Sequence, residues 1–214
     1  MIQLVLRRGI APLVVLAIGG SMLIAACSTA GGASPAATTA SGATGECPTS
    51  PPEALPAGET RTVTIDTDQG AIAIKIEANL SPIAAGNFVA LAGCGYYDGV
   101  VFHRVVPGFV IQGGDPTGTG TGGPGYEIQD EPVTATYGRG IVAMARTSQP
   151  NSVGSQFFIV LDDAARAALE SANTYQIIGS VSSGMDAVDA IAAAADAELP
   201  SSPIVMTKVT VSNP

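Results

Sequence analysis

The sequence predicts a mainly β protein closed into a barrel, and three features carry that expectation. Apolar and polar residues alternate over short runs, Gly and Pro punctuate those runs, and only two stretches can form substantial helices. "TVTIDTDQGAIAIKIE" sets Val63 and Ile65, then Ile72, Ile74 and Ile76, against polar or small neighbours around Asp68-Gln69-Gly70, an antiparallel hairpin with one buried face. "NLSPIAAGNFVALAGCGYY" offers Ser81 as N-cap, Pro82 at the first helical position, an apolar stripe of Ile83, Phe88 and Leu91, and Gly93 as the stop. "FHRVVPGFVIQGGD" reads as a strand and "DPTGTGTGGPGYEIQDE" as a long loop, while "GIVAMA" and "SQFFIVL" are short strands bracketing "RTSQPNSVG". "DDAARAALESA" reads as a short helical turn, "YQIIGSV" as a strand, "GMDAVDAIAAAAD" as the second helix and "PIVMTKVTVS" as the closing strand.

The 214 residues suit one domain with appendages. In residues 1–26, Arg7 and Arg8 precede an apolar run ending in Ile24-Ala25-Ala26, followed by Cys27, the layout of a secretory signal. A cysteine directly after small residues resembles the lipobox of bacterial lipoproteins, which implies lipidation of Cys27, palmitate included, and a membrane-anchored position on the extracytoplasmic side. Plain secretion and a retained helix are the alternatives, the latter opposed by Pro12, Gly19 and Gly20. Residues 27–60, small, polar and rich in Pro, read as a flexible tether, and 61–214 as the folded domain.

Loss of the leader removes two arginines and no acid, which takes the net charge from −9 to −11. A polyanion repels phosphate backbones and acidic lipid surfaces, so nucleic acid is not an expected partner and attachment must come from the lipid. With Cys27 acylated, Cys47 and Cys94 are an even pair in an oxidising compartment; they can bridge or stay separate thiols, and sequence cannot decide which.

Polar groups that suggest other chemistries lack partners. His103 is the only histidine and no cysteine sits at ligand spacing, so no metal is expected. Ser155 in "GSQ" lacks a nucleophile elbow, and the glycines of "GTGTGGPG" do not open a helix after a strand.

The order of "FHRVVPGFVIQGGD", "GTGTGG", "MARTSQPNSVGSQFFIV" and "IIGSV" with "GMDAVDAI" resembles the cyclophilin family of peptidyl-prolyl cis/trans isomerases from about Thr62 to Val211. The resemblance implies an eight-stranded antiparallel barrel capped by two helices, with a substrate groove on its outer face and no cofactor. It implies catalytic roles for Arg104, Gln112 and Phe109, and a proline pocket from Phe102, Val110, Ala145, Phe158 and Tyr175. Val110 replaces a methionine common in the family, and Tyr175 stands where many members have histidine. His103 looks structural, and of Phe157 and Phe158 the first is assigned to the core and the second to the groove. The expected partners are proline-containing polypeptides, bound by a monomer.

The residue types suit that chemistry. Amide resonance gives an X-Pro bond a barrier of roughly 18–20 kcal/mol, and the twisted transition state leaves a lone pair on the proline nitrogen. Arginine is a permanent donor that can bond this nitrogen more strongly in the twisted state than in the planar one. The expected function is thus isomerisation of extracytoplasmic proteins as they fold; the alternative is a proline-peptide binding module with incidental activity. The chain departs from the family in lacking tryptophan, with Leu169 or Glu170 nearest the position of the Trp that supports cyclosporin binding in many members. The loop over Thr147–Gln149 is also one residue longer than in common eukaryotic members.

Overall fold

The computed structural model describes residues 45–213, so Cys27 and the leader lie outside the described residues. One sheet dominates. Its strands are β1 (Thr60–Thr67), β2 (Gly70–Glu77), β3 (Arg104–Val106), β4 (Val110–Gly113), β5 (Ile141–Met144), β6 (Phe157–Val160), β7 (Ile177–Ser183) and β8 (Lys208–Ser212). All pairings are antiparallel, in the order β3-β4-β6-β5-β7-β2-β1-β8. The helices are α1 (Pro82–Gly93), α2 (Arg166–Ala172), which follows a 3₁₀ turn at Asp163–Ala165, and α3 (Met185–Ala194).

The expected closed barrel is corrected to a curled, open half-barrel, because β3 and β8 are edges that do not pair. The segments leading into them meet instead: Phe102 N–H donates to Ile204 O at 2.9 Å and Met206 N–H to Val100 O at 2.8 Å. Pro107 ends β3 after a few residues, and Pro200 and Pro203, which lack a donor, keep β8 from extending back across the gap.

"FHRVVPGFVIQGGD", expected as one strand, is a hairpin of β3 and β4. Pro107-Gly108 turns the chain, with Gly108 at φ +70°, and Phe109 N–H closes on Val106 O at 3.0 Å. The turn makes Arg104 and Gln112 cross-strand partners.

Val63, Ile65, Ile72, Ile74 and Ile76 all point into the main core, where Phe88 and Leu91 of α1 and Phe157 of β6 meet them. Phe157 packs edge-on to Phe88 at 5.1 Å and to Tyr97 at 5.7 Å. Ser81 precedes α1 as expected, but its hydroxyl caps nothing and is buried without a partner. The Glu131 carboxylate caps the helix instead, accepting from Ile83 N and Ala84 N, both at 2.9 Å.

The described end of the expected tether, residues 45–59, lies on the domain. Cys47 and Cys94 form a disulfide with Cα atoms 5.2 Å apart. Leu55 is buried in the main core, and its N–H donates to Pro82 O at 2.9 Å. Gly86 of α1 lets this strap pass, since any side chain there would collide with the backbone of Glu53–Leu55.

Candidate active site

The register gathers the site. Arg104 of β3 faces Gln112 of β4, Gln112 faces Phe158 of β6, and Phe158 faces Ala143 of β5. Residues paired this way project to the same side of a sheet, so one rank on the outer face carries a guanidinium, an amide and a benzyl ring. Val105, Ile111 and Ile159, the next rank, point into the main core. Pro107-Gly108 shifts strand parity, so only the pairing could put Arg104 and Gln112 on one face.

The polar end of the rank is a chain of hydrogen bonds. Arg104 Nη1 donates to Gln112 Oε1 at 3.5 Å, and Gln112 Nε2 donates to Gln156 Oε1 at 2.9 Å. Gln156 Nε2 donates in turn to Gly120 O and Gly122 O at 3.0 and 2.9 Å. From the other side, Arg104 Nε donates to Glu198 Oε1 at 2.7 Å.

The apolar end is a second hydrophobic cluster, separate from the main core. Val110, Ala143, Phe158, Val160, Leu169 and Ile177 form its floor, with Phe109, Ala145 and Tyr175 half-buried at its rim. Phe158 and Tyr175 meet edge to face, 5.4 Å apart. Beside the cluster runs a groove of about 720 Å³, reaching Gln112, Ala145 and Gln156 and walled by the loop 120–127 and by Arg146, Thr147 and Ser152.

Asp115 shapes that loop. Its carboxylate is buried and accepts from Thr117 N (2.7 Å), Thr117 Oγ1 (2.8 Å), Gly120 N (2.6 Å) and Gly122 N (3.0 Å). Burial pushes its pKa up, but these donors outweigh it and hold the carboxyl at about 2. Three of the loop amides, those of Thr117, Gly120 and Gly122, are thus spent on an internal carboxylate.

Of the expected site residues, Arg104, Gln112, Phe109, Val110, Ala145, Phe158 and Tyr175 lie along this one face. Phe102 is corrected: it is fully buried in the main core, 6.2 Å from Phe157, because it lies before β3 in the segment whose backbone is bonded to Ile204 at the seam. His103 is buried, with no hydrogen-bond partner on either ring nitrogen, and burial lowers its pKa. Gln156 and Glu198 were not foreseen. Alternation from Phe158 could have found Gln156, whereas nothing local points to Glu198, 94 residues from Arg104.

Known proteins resemble this chain in sequence and fold. The family model for "Cyclophilin type peptidyl-prolyl cis-trans isomerase/CLD" matches residues 62–211. Peptidyl-prolyl isomerase CWC27 of Cryptococcus neoformans is 46% identical over 128 residues, which cover 56% of this chain and 24% of that longer protein. Peptidyl-prolyl cis-trans isomerase-like 1 of Rhizopus delemar is 46% identical over 135 residues, 61% of this chain and 79% of the relative. A cyclophilin type peptidyl-prolyl cis-trans isomerase of Cryptosporidium parvum, also solved in the presence of the dipeptide Ala-Pro, superposes with a TM-score of 0.64 at 34% identity, covering 72% of this chain and 99% of that one. With the outer-face rank in register and the family pattern matched across most of its length, the chain belongs to the cyclophilin-type peptidyl-prolyl cis-trans isomerases.

Proposed function

We propose that this chain catalyses cis/trans isomerisation of X-Pro bonds in extracytoplasmic polypeptides, with Arg104 stabilising the twisted amide. The observation that carries the reading is the rank Arg104–Gln112–Phe158, which sets a permanent donor beside an apolar cluster on the same face. The ring would enter over Phe158 and Val110 between Phe109 and Tyr175, leaving its nitrogen toward the guanidinium. Gln112, held by Gln156, keeps the guanidinium on that side, and no proton transfer is required. The Cryptosporidium parvum relative was solved in the presence of the dipeptide Ala-Pro, which supports proline-containing polypeptides as the substrate class here.

The location is part of the same proposal. The basic leader and Cys27 support a lipid-anchored protein on the outer side of the cell membrane, and the Cys47–Cys94 bridge suits an oxidising compartment. There, uncatalysed proline steps of tens of seconds would limit folding.

The test is a prolyl-isomerisation assay on the full chain and its Arg104→Ala variant. Loss of about a hundredfold in kcat/KM is expected, the scale on which one transition-state donor acts. Retention of most of the rate would instead favour a proline-peptide binding module. For the anchor, Cys27→Ala should move the protein out of the detergent-soluble membrane fraction, and unchanged fractionation would refute it.

A further inference from the structure

Glu198 sits between α3 and β8, and two bonds fasten it to the edge strand that carries the arginine. Its carbonyl accepts from Val105 N at 2.8 Å, and its carboxylate Oε1 accepts from Arg104 Nε at 2.7 Å. The segment is itself braced. Asp196 Oδ1 accepts from Ser201 N at 2.9 Å and Oδ2 from Ser201 Oγ at 2.6 Å, closing a loop around Glu198. This loop covers the edge of β3 that β8 does not reach.

We propose that Glu198 is a positioning residue for Arg104, holding the plane of the guanidinium so that its outer N–H groups face the X-Pro amide. The inference deepens the isomerase reading and rests on it. Arginine presents its donors as a rigid planar fork on a flexible stem, so one contact fixes where the fork lies and a second fixes how it is turned. Glu198 takes Nε, and Gln112 approaches Nη1 from across the strand pair, which leaves Nη2 and the second Nη1 proton free for substrate.

Stability is not the reason for the pair. The Arg104 and Glu198 side chains are 33% and 60% exposed, and exposed ion pairs contribute little to folding. The neighbouring carboxylate also offsets part of the guanidinium charge, which by itself would weaken transition-state stabilisation. Orientation is therefore the benefit, and it should survive replacement of the carboxylate by an uncharged acceptor.

The test uses full-length Glu198→Ala, Glu198→Gln, Arg104→Ala and the Glu198→Ala/Arg104→Ala double variant in one isomerisation assay. Glu198→Ala is expected to lower kcat about tenfold with KM changed by less than about twofold, the pattern of a misplaced group rather than a lost subsite. Glu198→Gln should recover most of kcat, and in the Arg104→Ala background Glu198→Ala should cost nothing further. An NMR readout independent of turnover is the Arg104 Nε–H resonance, which should be distinct and slow to exchange in the wild type and lost in Glu198→Ala. Wild-type kcat in Glu198→Ala, an unmoved Nε–H resonance, or losses that multiply in the double variant would overturn the inference while leaving the isomerase reading intact. Full turnover in Arg104→Ala would overturn that reading, and this inference with it.

Discussion

Phe158 and Tyr175 meet edge to face on the outer surface, their centroids 5.4 Å apart and their planes at 87°. Tyr175 holds its place partly through its backbone carbonyl, which accepts from Tyr137 Oη at 2.8 Å, so its ring can be removed without loosening the segment that leads into β7. Tyr175→Ala should raise KM several-fold and cost about 1 kcal/mol of stability, the scale of one aromatic pair. Steady-state kinetics with urea unfolding would check this; an unchanged KM would place the ring outside the site.

Asp115 makes the groove wall acid-sensitive. Its folded-state pKa of about 2 lies below the usual carboxylate value, so its contribution is present above about pH 4 and is lost as pH falls toward 2. The amount is on the order of 2 kcal/mol. Asp115→Asn should flatten that part of the stability–pH curve and, by releasing Gly120 and Gly122, weaken the support of Gln156. A curve as steep as the wild type between pH 4 and 2 would contradict the assignment.

Glu131→Ala should destabilise the domain by about 1–3 kcal/mol, because two N–H groups at the start of α1 lose their acceptor. Ser81→Ala, by contrast, should cost little, since that hydroxyl bonds nothing. Urea midpoints of the two variants should differ clearly, and equal midpoints would mean that α1 does not depend on Glu131.

In non-reducing mass analysis of the native protein, Cys47 and Cys94 should resist alkylation. Reduction should cost about 2–4 kcal/mol, as expected for a closed loop of this length, and should free the strap around Leu55. Two alkylatable thiols in the native protein would refute the bridge.

Cyclosporin should inhibit weakly, since no tryptophan stands in the groove. A missing indole contact and hydrogen bond together amount to about 1–3 kcal/mol, or roughly tenfold to a hundredfold in affinity. The structure separates the two candidate positions: Leu169 is buried in the apolar cluster, whereas Glu170 is exposed. Glu170→Trp should recover part of the affinity, while Leu169→Trp should destabilise the cluster by overpacking. Nanomolar inhibition of the unaltered chain would overturn this reading of the groove.

Much of the architecture was legible because periodicity is a local property. The alternation of Ile72, Ile74 and Ile76, the Pro82 start and the Gly93 stop each depend only on near neighbours, and the structure has β2 and α1 where these signals lie. The segment proposed to carry the chemistry was legible through its motif, since Arg104, Phe109 and Gln112 occur within one short run. Contacts between distant segments were beyond reach. Whether β3 pairs with β8, whether Phe102 faces in or out, whether Ser81 or Glu131 caps α1, and which acid meets Arg104 all depend on where the chain returns after tens of residues. Sequence by itself determined which side chains could do the chemistry; the tertiary structure decided which of them share a face, because strand register and loop return are set by packing across the whole sheet.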